Sequence, residues 1–167
     1  MTVPLKLTHD EPRLVYLALV YHLGRPGSEL DATTKMPLEH GLRDVKIALG
    51  SELAGDSAII EVDEAQSQKL LSAMYGCVTE LRGHHMRGGT PSTVDRFTET
   101  ALELFPQIAA EPEEALTIAQ ALVMLHRRME RALKGVFDAS SASTAADAAA
   151  PEPVSKRGWP FRRRSLR

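Results

Sequence analysis

The sequence predicts an all-α, single-domain bundle of about five helices around an apolar first helix, followed by a disordered basic C-terminal tail. Three observations support this fold class. The run from Leu14 to Tyr21 carries no charged side chain, later segments repeat apolar residues at spacings of three and four, and the last residues are strongly basic. A helix that is apolar on every side must be covered on every side, so the later helices should surround the first.

The composition is that of an ordinary globular protein. The chain has 167 residues, which suits one domain, with 43% hydrophobic and 25% charged residues. Its single cysteine, Cys77, excludes an internal disulfide and is typical of a reducing compartment. The N-terminus lacks the pattern of a secretion signal, and the first apolar run is shorter than the roughly 20 residues that cross a bilayer. These features predict a cytoplasmic protein.

Capping residues define the first helix. Thr8 and Glu11 have capping-box spacing, while Asp10 is a competing N-cap with Pro12 in the first turn. Gly24 stands where a C-terminal cap is expected.

A second helix is predicted to begin at Pro37 and to end before Gly55. Its apolar stripe is Leu38, Leu42, Val45, Leu49 and Leu53. The short β-branched segment Ala58 to Val62 then has no evident partner strand, and it is interpreted as an extended connector.

Asp63 and Gln66 mark the start of the third helix, and Gly83 is its predicted C-cap. Its stripe is Leu70, Leu71, Met74, Cys77, Val78 and Leu81. Gly76 inside this helix costs about 1 kcal/mol relative to Ala, which a close neighbouring helix would explain. The residues from His84 to Gly89 are predicted to form a polar loop.

Two more helices follow. The fourth should open near Ser92 and end before Pro106, with the stripe Val94, Phe97, Ala101, Leu104 and Ile108. The fifth and longest should start at Pro112, with the stripe Ala115, Ile118, Leu122, Leu125, Met129, Ala132 and Val136.

Charge divides the chain into three segments: a helical bundle over 1–138, a flexible Ala-, Ser- and Pro-rich linker over 139–155, and a basic-aromatic tail over 156–167. The tail holds six of the 20 Lys and Arg residues and no acid. The remaining 14 face all 22 acidic residues, so a body of formal charge −8 precedes a tail of +6.

Few histidines stand in spacings that are typical of metal or catalytic sites. Cys77, His84 and His85 are weak candidates for a metal site, because they supply three ligands where a structural site needs four. His126 with Glu130, or His40 with Asp44, could hold a proton relay. No Glu-x-x-His motif, nucleophile elbow or phosphate-cradling glycine loop is present, so no catalytic residue, metal or cofactor is assigned.

The tail is the best functional lead. Arginines bind phosphate, and aromatic rings stack on bases or settle into a lipid interface. The predicted polyanion-binding residues are Lys156, Arg157, Trp159, Phe161, Arg162, Arg163, Arg164 and Arg167. Alternatively the tail is a solvated end without a partner.

These patterns predict a small helical interaction or regulatory module. Its body would bind a protein partner or itself, and its tail would contact an anionic membrane or, less favourably, nucleic acid. The first alternative is a metal-binding or enzymatic bundle that uses His84, His85 or His126. The second is a nucleic-acid-associated regulator that acts through the tail.

Overall fold

The computed structural model describes residues 2–31, 33–38 and 40–148. It is predominantly helical, as predicted, and its described part contains six helices and one two-stranded sheet. The elements in order are β1 (Val3–Thr8), α1 (Glu11–Leu23), α2 (Arg43–Glu52), β2 (Ser57–Val62), α3 (Glu64–Met86), α4 (Phe97–Leu104), α5 (Gln107–Ala110) and α6 (Glu114–Ala148).

The sheet corrects the strictly all-α prediction. The segment interpreted as a connector is β2, and its partner is the N-terminal strand β1. The two strands are antiparallel, with Val3 opposite Val62 and Thr8 opposite Ser57. Alternate residues of each strand are buried, so one apolar face of the sheet packs against the helices and the other face is exposed.

Helix α1 has the central position that its apolar run predicts. It packs against β1, α2, α3, α4 and α6. Leu17 is completely buried, and Glu11 makes part of the predicted capping box because its carboxylate accepts a hydrogen bond from the Thr8 backbone N–H. Helices α3 and α6 share the most extensive interface of the described elements.

Several predicted boundaries are wrong. Helix α2 begins at Arg43, because Pro37 lies in an extended bridge with Leu30 instead of a first helical turn. Helix α3 runs past Gly83 to Met86, since one helical glycine costs only about 1 kcal/mol and the left-handed Gly88 and Gly89 terminate the helix instead.

The later boundaries differ as well. Helix α4 begins at Phe97 because Ser92 accepts the Val94 N–H within its own turn, and α4 ends before Pro106 as predicted. In α6 the buried residue near the end is Leu133, whereas the predicted stripe residues Ala132 and Val136 are exposed. The helix extends to Ala148, into the segment interpreted as a linker, and Ala-rich composition favours such an extension.

Glu11 also joins α1 to α6. Its carboxylate forms an ion pair with Arg128, with Nη1 and Oε1 2.5 Å apart. Burial raises the pKa of Glu11, but the hydrogen bonds from Arg128 and Thr8 outweigh burial and hold the pKa below its ordinary value of 4.5. The folded state therefore binds this proton less readily than the unfolded chain does.

This pKa shift predicts a pH-dependent contribution of Glu11 to stability. Because the folded pKa is depressed, the stabilisation is present above pH 4.5 and is lost as the pH falls through the folded value. We expect Glu11→Gln to lower the free energy of unfolding at pH 7, and we expect its difference from the wild type to shrink progressively below pH 4.5. Urea denaturation of both proteins across this pH range measures the effect; a difference independent of pH would contradict it.

Candidate functional site

The structure places Cys77 and His84 on the buried face of α3, because the helix continues through the predicted loop to Met86. Cys77 is fully buried, and His84 lies beside a small apolar pocket lined in part by Leu81, Phe97 and Ile108. The buried Nδ1 atom of the adjacent His85 has no hydrogen-bond partner. Among the residues described, no group of three or more His, Cys, Asp and Glu side chains is placed to hold a metal ion.

The predicted histidine pairs do not form. His40 Nδ1 lies 2.7 Å from Asp63 Oδ2 rather than pairing with Asp44. Asp63 in turn accepts the Gln66 N–H in a complete capping box, and that hydrogen bond is the largest cause of its lowered pKa. His126 is partly buried in α6 and makes no ion pair with Glu130 in the described structure. His40 thus contributes to the start of α3.

Burial also determines the chemistry of Cys77. Removal from water raises the pKa of its thiol, and the Glu80 carboxylate adds to the rise. The thiolate is the reactive species, so this cysteine should be inert in the folded protein. We expect a disulfide reagent such as dithionitrobenzoate to modify Cys77 more than about a hundredfold more slowly in the folded protein than in the unfolded chain. The reason is that the folded protein must open locally before the reagent can reach the thiol. Equal rates would show that the thiol is accessible.

A wider concavity lies elsewhere, between the C-terminal end of α1, helix α2 and the segment that precedes α4. It consists of two adjoining clefts of about 440 and 630 Å³. Both clefts are lined by Leu23, Gly24, Lys46 and Asp95, so they form one continuous groove. We call this concavity the α1–α2 groove. Each of the two clefts has a volume within the usual range for small-ligand sites.

Close backbone approach forms the floor of the α1–α2 groove. An added Cβ atom at Gly24 would lie 2.5 Å from the backbone oxygen of Asp95. The end of α1 therefore meets the segment before α4 at a point where only glycine fits. Arg96, which has a left-handed backbone with φ +57°, follows this contact and turns the chain into α4.

Three cations surround the larger cleft: Arg25, Arg43 and Lys46. Two of them rest on tyrosines of α1. The Arg25 guanidinium lies 5.6 Å from the centroid of the Tyr21 ring, and Lys46 Nζ lies 5.5 Å from that of Tyr16. Such contacts favour one position for each cation over the many that a solvated side chain samples.

The acidic residues of the groove are only partly available to these cations. Glu29 is engaged on both oxygens, since Oε1 lies 2.8 Å from His22 Nε2 and Oε2 accepts the Leu42 backbone N–H. Asp95 lines both clefts and makes no ion pair in the described structure. The His22–Glu29–Leu42 connection ties the long segment between α1 and α2 to the body, and so fixes one wall of the groove.

Sequence patterns did not reveal the α1–α2 groove. Arg25 and Ser28 flank the turn residues Pro26 and Gly27. Arg43 and Lys46 lie off the predicted apolar stripe of the second helix, and neither local pattern brings the two pairs together. The one sequence feature that could have indicated the groove is Gly24 beside a basic turn. Many ordinary helix ends have the same feature, so it is not specific. The groove depends on the tertiary approach of Gly24 to Asp95.

The predicted polyanion-binding residues, Lys156 to Arg167, lie outside the described residues. Within the described part of the chain, no helix has the length and apolar character needed to cross a membrane. Comparison with known proteins found no matching family model, no matching curated protein and no matching solved structure.

Proposed function

We propose that this chain is a small helical interaction module whose basic C-terminal tail contacts an anionic membrane surface. The observation that carries the proposal is the segregation of charge, with a formal −8 over residues 1–155 and +6 over 156–167. A uniformly mixed chain of the same net charge would have no local attraction for polyanions.

The energetics favour a membrane. Each Lys or Arg near an anionic bilayer contributes about 1 kcal/mol, so six give several kcal/mol before ordering costs. Trp159 and Phe161 add an apolar anchor of about a few kcal/mol at most. Nucleic acid would attract the same arginines, and the acidic body repels either polyanion, so the insertion of Trp159 and Phe161 into a lipid interface is what favours the membrane.

Exposed apolar side chains on the body support the second half of the proposal, a protein partner or self-association. Tyr75 on α3 is 71% exposed and Met124 on α6 is 62% exposed. Aromatic residues and methionine are enriched at protein interfaces. A pull-down that compares the full chain with a chain ending at Asp138 separates partners of the body from partners of the tail.

Vesicle co-sedimentation tests the tail. We expect the full chain to bind vesicles that contain phosphatidylserine, to bind phosphatidylcholine vesicles poorly, and to dissociate as salt rises. Replacing Arg162, Arg163 and Arg164 together by Ala should weaken binding by about a hundredfold, at about 1 kcal/mol per arginine. Trp159→Ala should weaken binding to vesicles more than binding to single-stranded DNA.

The control is the chain truncated after Asp138. Leu133 is the last fully buried residue of α6 before the truncation, so the melting temperature should change little. A folded truncated protein that binds anionic vesicles as well as the full chain would leave the tail as a solvated end and overturn the proposal. Stronger binding to single-stranded DNA than to vesicles would favour the nucleic-acid alternative instead.

A further inference from the structure

We propose that the α1–α2 groove binds the phosphate group of a small organic ligand, at a site separate from the basic tail. The site is built from Arg25, Arg43, Lys46 and Ser28, which all line its larger cleft. This inference does not rest on the function proposed for the tail.

The available donors match a phosphate. In the described structure Arg25, Arg43 and Lys46 form no ion pair, and the Ser28 hydroxyl has no hydrogen-bond partner. A guanidinium offers a planar fork of N–H donors to phosphate oxygens, and an ammonium supplies a compact point charge beside them. A hydroxyl completes the set, because it can donate to an oxygen that the cations leave free.

The charge distribution of the body makes this cluster unusual. Residues 1–155 carry a formal charge of −8, yet three cations converge on one concavity there. A concave site with low-dielectric walls concentrates their field, whereas the same charges on a convex surface are screened by solvent. The partial burial of Lys46 against Tyr16 strengthens this effect.

Two carboxylates in the wall of the larger cleft, those of Glu29 and Asp95, affect how tightly an anion can bind there. Glu29 faces the cleft, but its oxygens already serve His22 and the Leu42 N–H. Asp95 lacks an ion pair and adds an uncompensated negative charge to the wall. An anion should therefore bind more tightly when Asn replaces Asp95, whereas a cation or a cationic peptide should bind less tightly.

The rim of the cleft indicates the rest of the ligand. Leu30 and Ile47 line it and are 42% and 66% exposed, so apolar surface lies next to the cations. A ligand with a phosphate and a carbon skeleton fits this combination better than inorganic phosphate alone. A free phosphate ester and the headgroup of a phospholipid share this chemistry.

A titration followed residue by residue tests the site. The ¹⁵N-labelled full chain with Arg162, Arg163 and Arg164 all changed to Ala, which removes three of the six basic residues of the tail, is titrated with glycerol 3-phosphate and separately with inorganic pyrophosphate. We expect saturable shifts of the amide signals of Gly27, Ser28 and Ile47. Shifts that are absent, or confined to residues 156–167, would overturn the proposal.

Charge variants of the groove give the quantitative test. Arg43→Gln combined with Lys46→Met removes two cations while the methionine keeps an apolar contact with Tyr16. We expect the dissociation constant to rise at least about tenfold, as for the loss of two charge-assisted hydrogen bonds. Asp95→Asn should lower it. The matched control, Arg82→Gln with Arg127→Gln, removes equal charge from exposed positions outside the groove and should change the constant less than about twofold.

Two further arms identify the source of the phosphate. Vesicles of phosphatidylcholine with phosphatidic acid are compared with soluble glycerol 3-phosphate, using the same variants. Weaker binding of either ligand after the Arg43 and Lys46 changes supports the site. The ligand that binds more tightly, the lipid or the soluble ester, indicates the source of the phosphate. If a correctly folded Arg43→Gln, Lys46→Met protein, as judged by its circular dichroism melt, binds both probes like the control, the groove is not a phosphate site.

Discussion

Leu17→Asp should unfold the protein. The side chain of Leu17 is completely buried on a helix that contacts one strand and four other helices. An aspartate there would bury a carboxylate without a partner and leave part of the leucine volume empty. Together these effects cost about 4 kcal/mol or more, against a typical total stability of about 5 to 15 kcal/mol.

Two companion variants make this result interpretable. Leu17→Ala removes apolar volume without adding charge, and it should cost about 2 to 5 kcal/mol while leaving a folded protein under mild conditions. Met124→Asp places the same carboxylate on an exposed position of α6 and should change stability by no more than about 0.5 kcal/mol. The measurement is the thermal transition by circular dichroism. A cooperative Leu17→Asp transition near the wild-type temperature would show that α1 is not the centre of the core.

The sequence predicted the helical body well where the evidence was local. The Asp63–Gln66 capping box starts α3 in the structure, Pro106 separates α4 from α5, and the apolar run of α1 is buried. Each of these features depends on residues within a turn or two of one another. Local hydrogen bonds and fixed proline geometry produce such features whatever the rest of the chain does.

The features that were missed depend on distant residues. Strand β1 is short, and its pairing of Val3 with Val62 joins segments separated by two helices. A short apolar alternation does not reveal its partner, and so β2 looked like a connector. The helix end predicted at Gly83 is wrong because an isolated glycine is ambiguous, and the helix terminates instead at the left-handed Gly88 and Gly89.

The candidate sites show the same difference between features that depend on local residues and features that depend on distant residues. His84 was predicted to lie in a loop after Gly83, but α3 continues and places Cys77 and His84 on one face, and burial, which no local pattern gives, makes that face part of the core. The α1–α2 groove was invisible because Arg25, Arg43 and Asp95 come from three segments that meet only after folding. The tail residues were identified by charge alone, and only binding experiments test them.

Gly76→Ala should destabilise the protein even though alanine is the better helix former. An added Cβ at Gly76 would lie 2.9 Å from both Cζ and the hydroxyl of Tyr21, closer than real Cβ contacts. The Tyr21 ring is held between α3 and α4, since it also meets Phe97 edge-on at 5.9 Å. The overpacking cost of about 1 to 3 kcal/mol should exceed the roughly 1 kcal/mol gained in helix propensity.

The chain provides a matched control and a rescue. Gly135 lies in α6 with no atom within 4 Å of an added Cβ, so Gly135→Ala should stabilise the protein by up to about 1 kcal/mol. In a Tyr21→Ala background the obstruction is gone, and Gly76→Ala should there be neutral or stabilising. Urea denaturation of the four proteins in this cycle gives the coupling free energy, which we expect to be about 1 to 3 kcal/mol. A Gly76→Ala protein as stable as Gly135→Ala would mean that α1 does not need glycine to approach α3, and that the Tyr21 ring is free to move.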